Sequence, residues 1–414
     1  MRSRQKIKTT VIIIAAVLVL LFILKEDNPT FIKIIGGDIN TIGKNVILTD
    51  DNGYLIIGSK ATSKKGRAGI YFLWLDEYGE KVKEKYFENK IYKSARDIKK
   101  TKDGNFIVVG SMRNEEAKVS NVLLTKIDAN GEVLWMKTYG GEKKLSGKSV
   151  NQTADGGYVL FCRYTPPGLK HFDFYIIRVD ESGNLLWENS FGDVGRDRPQ
   201  DILETSAGEF IMYGRTSSYG EGMSDFYLVK MDKDGNLLWE KTIGHSYDEY
   251  IHLLLEADDG TYIAFGWTES SGAHESDCYL LNIDKSGDVI WEKDLGNSFY
   301  DRGFGIDKTS DGGYILLGIL HEQEESTLID DLGYNVERQS RAEVNQNLYL
   351  VKVDKDGNKE WSMVYGEDGI EKPYMVKQTP DGGYIVLGKT KSPETKTVNI
   401  YLIKTDKDGF VNIW

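Results

Sequence analysis

Cysteine is nearly absent: Cys162 and Cys278 are the only two in 414 residues. They fall in repeats two apart, so a bridge would have to cross an intervening unit. No disulfide framework is expected, and both read as buried free thiols. Histidine is scarce too, at five residues, and no two share an element at the three- or four-residue spacing of a zinc site. No Gly-x-Ser-x-Gly elbow and no phosphate-cradling glycine loop occurs. The reading therefore contains no catalytic residue, no metal ligand and no cofactor. Positive charge is in deficit: 52 Lys and Arg against 64 Asp and Glu give a formal net charge of −12. A general nucleic-acid binder needs a basic surface to neutralise phosphates, so that class is excluded. Helical periodicity is missing everywhere except near the N-terminus.

There, four basic residues (Arg2, Arg4, Lys6, Lys8) precede an unbroken apolar run of 14, Val11 to Leu24. With Thr9 and Thr10 the run makes about 24 Å of helix, short against a hydrocarbon core of about 30 Å. The following Lys25-Glu26-Asp27-Asn28-Pro29 offers no small residues for cleavage and no lipidated cysteine. The expectation is an uncleaved signal anchor spanning residues 1–30 with the tail and short linker. It would leave the basic side inside and everything beyond Leu24 outside the cell membrane. The alternative is a cleaved signal with an unusual processing site, which would make the chain secreted.

What the rest of the chain has in abundance is repetition. An Asp-Gly-Gly-Tyr-like turn enters an apolar run at Tyr54, Phe106, Tyr158, Phe210, Tyr262, Tyr314 and Tyr384, spaced 52 residues apart five times and then 70. A second marker, Asp-x-x-Gly, starts at Asp76, Asp128, Asp180, Asp232, Asp284, Asp354 and Asp406 with the same spacing. Five of these lead to a Trp seven residues on: Trp135, Trp187, Trp239, Trp291 and Trp361. Each unit reads as four strands, the second apolar on both faces and the last two joined by the Asp-x-x-Gly hairpin. Seven such units over 31–414 predict an all-β, seven-bladed β-propeller of four-stranded blades. The ends are complementary. Phe31-Ile-Lys-Ile-Ile-Gly36 has the spacing of a fourth strand without its turn, and Asp406-Lys-Asp-Gly409 is a turn at the chain's end. Joined, they would supply the outer strand of a shared blade and close the ring.

These phrases resemble those of the bacterial β-propeller repeat proteins, whose units run Tyr-Leu-x-Lys-x-Asp-x-x-Gly-Asn-x-x-Trp and then Asp-Gly-Gly-Tyr-Ile. Units three to seven match well. The first departs, with Lys83 at the Trp position and Glu88 at the Gly position. The resemblance implies the fold and an exported or surface location, but no reaction. The Asp-x-x-Gly-x-x-x-Trp phrase is also similar to the docking repeat of quinoprotein-like propellers. Those usually carry eight blades and often a vicinal Cys pair, and this chain has neither.

Most recurring residues have a structural explanation. The Asp-Lys-Asp-Gly turns at Asp232, Asp354 and Asp406 lack the further oxygens of a calcium loop and read as turn chemistry. One Trp per blade reads as packing. Function is left to the connections on one face, fourth strand to first and second to third. The 319–347 connection of unit six carries the whole extra length and is acidic. Unit five gathers His245, Tyr247, Asp248 and His252 on one connection and Trp267, His274 and Glu275 on the other. Arg196-Asp197-Arg198 and Tyr300-Asp301-Arg302 recur at equivalent positions. An acid at that position (Asp197, Glu249, Asp301, Glu371) argues for a turn-stabilising salt bridge first. The candidate ligand-binding set is Tyr247, Asp248, Trp267, His274, Arg198, Tyr300 and Arg302. The expected function is non-enzymatic binding or scaffolding of a protein or glycan on the outer side of the membrane. The alternatives are a carbohydrate-active enzyme (glycosidase or lyase) using a carboxylate pair on that face, and a purely structural envelope protein.

Overall fold

The computed structural model describes residues 29–411 except 62, 64–67, 88–91, 222, 271–275, 297–300, 323–344, 367–370 and 392–394. It contains seven four-stranded antiparallel sheets, six of them formed from four consecutive strands. In the seventh, strand Phe31–Ile35 pairs antiparallel with Val398–Thr405, Phe31 opposite Lys404 and Ile35 opposite Ile400. The ring therefore closes as the sequence predicts, with the earliest described strand as the outer strand of the last blade. Gly37 N–H, donating to Asn399 Oδ1 at 2.9 Å, fastens the same joint beyond the strand. The expected N-terminal helix and residues 412–414 lie outside the described residues.

The doubly apolar second strands follow from where the core sits. Among the described residues seven buried clusters occur, and each is shared by two neighbouring blades. In the second strand of blade 3, Tyr158, Leu160 and Cys162 pack towards blade 2, whereas Val159 and Phe161 pack towards blade 4. Alternation sends successive side chains to opposite faces, so a strand between two neighbours is apolar at every position. Cys162 and Cys278 are both buried and free.

Each blade also docks on the next through the repeated Trp. The Asp-x-x-Gly glycines adopt left-handed φ, +77° at Gly183 and +84° at Gly409. A Cβ on Gly183 would lie 3.1 Å from the Trp135 ring of the preceding blade, and one on Gly409 would lie 2.9 Å from Trp361. Glycine is required both for the turn and for the indole beside it. Across the closing joint, Phe31 takes the Trp position. A Cβ on Gly79 would lie 2.7 Å from the Phe31 ring, which meets Tyr54 edge-on at 6.0 Å. Only the joint from blade 1 to blade 2 lacks an aromatic here. Lys83 lies over Trp74 of its own blade, and Lys85 reaches across to the Asn130 carbonyl (2.8 Å) and Glu132 (2.5 Å).

The turn acids serve their own turns. Asp232 Oδ1 accepts from the amides of Asp234 and Asn236, both at 2.9 Å, and Asp354 and Asp406 repeat the pattern. Beneath the Asp-Gly-Gly turns lie buried cations: Lys126 pairs with Asp103 (2.7 Å), Arg178 with Asp155 (2.6 Å), Lys352 with Asp311 (3.0 Å) and Lys404 with Asp381 (2.7 Å). At Asp311 burial opposes ionisation. The Thr309 hydroxyl, the Gly313 amide and Lys352 outweigh it and lower the carboxyl to about 2.

Candidate functional site

All seven inner strands carry a β-bulge at the same repeat position, ten residues before the turn aromatic. The slips fall at Gly43/Asn45, Ala95/Asp97, Gly147/Ser149, Pro199/Asp201, Ile251/Leu253, Gly303/Gly305 and Pro373/Met375. A bulge leaves its extra residue unpaired and re-aims it. Those residues are Lys44, Arg96, Lys148, Gln200, His252, Phe304 and Tyr374, one per blade around the channel. The inner strand is thereby pressed against the second, which has glycine opposite in six blades. A Cβ on Gly58 would lie 1.8 Å from the Ile42 carbonyl, and one on Gly266 1.8 Å from that of Tyr250. The flanking position two residues on is uniformly apolar and interblade (Val46, Ile98, Val150, Ile202, Leu254, Ile306, Val376). The bulged position has no repeat consensus.

Instead the ring is divided. Blades 1 to 3 contribute cations, and blades 5 to 7 contribute aromatics. His252 lies 4.4 Å from Tyr250 and 4.5 Å from Phe304, ring centre to ring centre, so the aromatic wall runs unbroken from blade 5 to blade 6. Lys44 closes the circle with its amine 4.1 Å from the Tyr374 ring centre. Gln200 sits at the boundary, accepting the Tyr250 hydroxyl at 2.6 Å. Burial, then Arg302, lowers the His252 imidazole to about 3, so it is neutral at physiological pH.

A second tier lies two residues nearer the connections. Cross-strand pairs there are Ser146–Arg163, Arg198–Arg215, Tyr250–Trp267 and Lys372–Lys389. Trp267 stacks on Tyr250 at 5.9 Å and 22°, and the Arg302 guanidinium lies 4.4 Å from the indole centre. Arg163 lies over Phe172 at 4.4 Å.

Charge is balanced in the lower channel and unbalanced at its mouth. Below, Lys377 meets Asp307 at 2.8 Å and Lys99 meets Asp97 at 3.6 Å. Burial, tempered by Lys99 and reinforced by Asp201, raises Asp97 to about 6. Above, Arg215 reaches Asp248 at 4.0 Å and Arg302 reaches Glu269 at 3.9 Å. Among the described residues no carboxylate comes within ion-pair distance of Lys44, Arg96, Lys148, Arg163 or Arg198. Their effect on one another is unfavourable. Burial, then Lys389 and Arg96, lowers Lys44 to about 8; burial, then Arg96, Arg163 and Arg198, lowers Lys148 to about 8. Lys44 is nonetheless exposed to solvent. The surrounding wall, not a lack of water contact, is what disfavours its charge. Arg163 and Arg198 are lowered by burial first and by neighbouring arginines next.

Of the residues singled out from sequence, Arg198, Asp248, Trp267 and Arg302 come together at this mouth. Trp267 is buried at 8% exposure between Tyr250 and Arg302, not displayed as an open platform. Tyr247 is 57% exposed on its turn, with its amide bonded to Ser270 Oγ at 2.9 Å. His274 and Tyr300 lie outside the described residues, as does most of the 319–347 insertion. His252 sits on an inner strand, Glu249–Glu256, not on a connection. The recurring acid is buried, and at Asp197 and Glu249 it stabilises its turn through hydroxyls and amides in place of the expected salt bridge. Asp197 accepts from Thr216 and Ser218, Glu249 from Thr268 Oγ1 (2.8 Å) and the His245 amide (3.0 Å), and Glu371 from Thr390 (3.0 Å). Sequence reading missed Lys44, Arg96, Lys148, Arg163, Phe304 and Tyr374. The available signal was one non-repeating position inside an otherwise repeating strand.

Two grooves of about 470 Å³ each lie on the rim between fourth strands of adjacent blades. One is spanned by the Lys241–Asp288 pair at 2.6 Å, so its charges are already satisfied.

No family model matches this chain, and no curated protein does. Among solved structures it is similar to puromycin hydrolase, with TM-score 0.51 and 12% identity over 90% of this chain and 52% of that one. It is also similar to the β-propeller domain of the Trilobed protease from Pyrococcus furiosus, with TM-score 0.46 and 12% identity over 93% and 98%. The acylaminoacyl peptidase of Pyrococcus horikoshii gives TM-score 0.44 and 12% identity over 88% and 52%. The chain spans about half the length of puromycin hydrolase and of that peptidase. At such identity the likeness shows the β-propeller fold alone.

Proposed function

We propose that this chain is a binding or scaffolding propeller whose channel mouth receives a protein or glycan. The observation that carries the reading is the contrast between positions. Repeat-wide residues are accounted for by docking, turns and interblade cores, whereas the bulge ring differs from blade to blade and faces the channel. The blade framework itself gains nothing from a varied ring there, and binding sites are grafted on folds in this way. The test exchanges Arg96, Lys148, Phe304 and Tyr374 together for Ser and screens both proteins on glycan and peptide arrays. The expected result is a ligand held by the wild type and lost by the variant at an unchanged melting temperature. A ligand held equally by both removes the mouth from the site.

Display on the outer side of the cytoplasmic membrane is part of the proposal and rests on the basic-then-apolar segment before Lys25. Among the described residues no helix is long and apolar enough to cross a membrane, and that segment is not among them. Protease added to intact cells should degrade the propeller; full protection would refute the display.

One observation favours the enzymatic alternative. Burial first, and Asp201 as a further negative charge, raise Asp97 to about 6, a carboxyl poised for acid–base work. Against it, Asp97 accepts from the Ile98 and Val150 amides, and Asp201 from that of Ile202, so both brace the bulges. Glycosidase or lyase activity abolished by Asp97→Asn in a folded protein would establish it.

A further inference from the structure

We propose that the mouth binds an acidic glycan, its carboxylate or phosphate groups seated on Lys44, Arg96 and Lys148 and its sugar faces laid on the aromatic wall. The inference rests on the mouth being the binding site and adds the class of ligand.

The argument begins with what is missing. The chain has 64 acidic residues, more than enough to give every cation a partner. The lower channel uses them: Lys99 and Lys377 both have carboxylates. Among the described residues the upper arc does not, although crowded like charges oppose each other's ionisation. What faces Lys44 is Arg96 on the next inner strand, Lys389 on the second strand of blade 7 and the Tyr374 ring. What faces Lys148 is Arg96, Arg163 and Arg198, from three different strands. An anion seated among them would relieve that repulsion, which is the physical reason to expect one. The opposite side, Tyr250, His252 and Phe304, offers half-buried ring surface with one hydroxyl and a neutral imidazole. A ligand spanning both sides needs anionic groups at one end and apolar C–H faces at the other. An acidic saccharide has both.

The test is calorimetry on the full chain at pH 8, at 50 and 300 mM salt. The probes are tri-galacturonate, a phosphorylated trigalactose, neutral trigalactose and hexaglutamate. An acidic saccharide should bind at least about tenfold more tightly than the last two, and more weakly at high salt. Whichever of the carboxylate or phosphate probes wins names the source of the anion. Lys44→Gln with Lys148→Gln should weaken it by about tenfold or more per lysine. Lys241→Gln on the rim should not change it. Binding should also take up protons, read from the dependence of heat on buffer ionisation, because the seated anion recharges both lysines. If the glutamine pair fails to fold, Lys44→Arg with Lys148→Arg should retain binding and abolish the uptake; uptake that persists refutes the assignment. Hexaglutamate binding as tightly would reduce the mouth to a patch for acidic peptides, and trigalactose binding as tightly would dismiss the cations. Either overturns the glycan assignment while leaving a binding mouth. No binding of any probe also overturns it, and the array screen then judges the mouth separately.

Discussion

Phe31 is predicted to be the residue on which ring closure depends, and a double-mutant cycle with Gly79 tests it. Phe31 is 9% exposed, sits against the left-handed glycine of blade 1 and meets Tyr54 edge-on. Phe31→Ala removes the ring and leaves a cavity between the first and last blades, at a cost of about 3 to 5 kcal/mol. Gly79→Ala forces a side chain onto φ +72°, about 1 to 2 kcal/mol, and drives its Cβ to 2.7 Å from the ring. The overlap adds about 1 to 3 kcal/mol. In the double variant the methyl group occupies space the ring has left, so the overlap disappears while the φ cost remains. The double should therefore be less destabilised than the sum of the singles by about 1 to 3 kcal/mol. Urea denaturation of the four proteins supplies the numbers. Hydrogen exchange supplies the location: in Phe31→Ala the amides of Ile400–Lys404 that face the closing strand should lose protection while those of blade 3 keep theirs. Additivity within about 0.5 kcal/mol, with unchanged protection there, would refute the docking of Phe31 on Gly79.

Three further outcomes are expected. His252 titrates near 3 in the fold and near 6.5 unfolded. The unfolded chain therefore takes up a proton that the folded one refuses, and stability falls as pH drops from 6.5 towards 3. His252→Phe should flatten that slope in urea melts between pH 6 and 4; parallel slopes would contradict it. Lys404→Met strands Asp381 beneath its turn and should cost about 3 kcal/mol, whereas Lys407→Met, on an exposed pair, should leave stability unchanged. Equal effects would show that burial does not govern these pairs. Asp197→Ala removes the acceptor for two hydroxyls and the Asp193 amide, and should cost about 2 kcal/mol and open the turn to protease. A variant as resistant as wild type would reassign the acid.

The fold was legible because propeller blades write their constraints at fixed intervals. Gly183 under Trp135 and Asp232 across its own turn are each forced by local geometry, so they recur and can be counted. Even the closing joint could be read, since Phe31 keeps the Trp position. The site was read only in part. Arg198 and Arg302 were reachable because they adjoin recurring turn acids, and Trp267 because it stands where the second strand of unit five meets its connection. Lys44 and Tyr374 were not, because nothing in a single unit marks a bulge and their proximity comes from bending the chain into a circle. Burial of Trp267 was missed for the same reason: Arg302, which covers it, belongs to the next blade.

The closing joint also sets a clock. Gly37 and Asn399, bonded across it, are 362 residues apart in sequence. At about 5 to 20 residues per second, roughly 20 to 70 s of synthesis separate the two sides. Throughout that interval Phe31-Ile-Lys-Ile-Ile is made but has no partner, a short apolar β-former whose one charge, Lys33, stands at its centre as a gatekeeper against self-association. The six complete blades can assemble in order, but the seventh must wait. Until then the nascent chain is an open crescent with adhesive edges, and its safe handling depends on how long that state lasts.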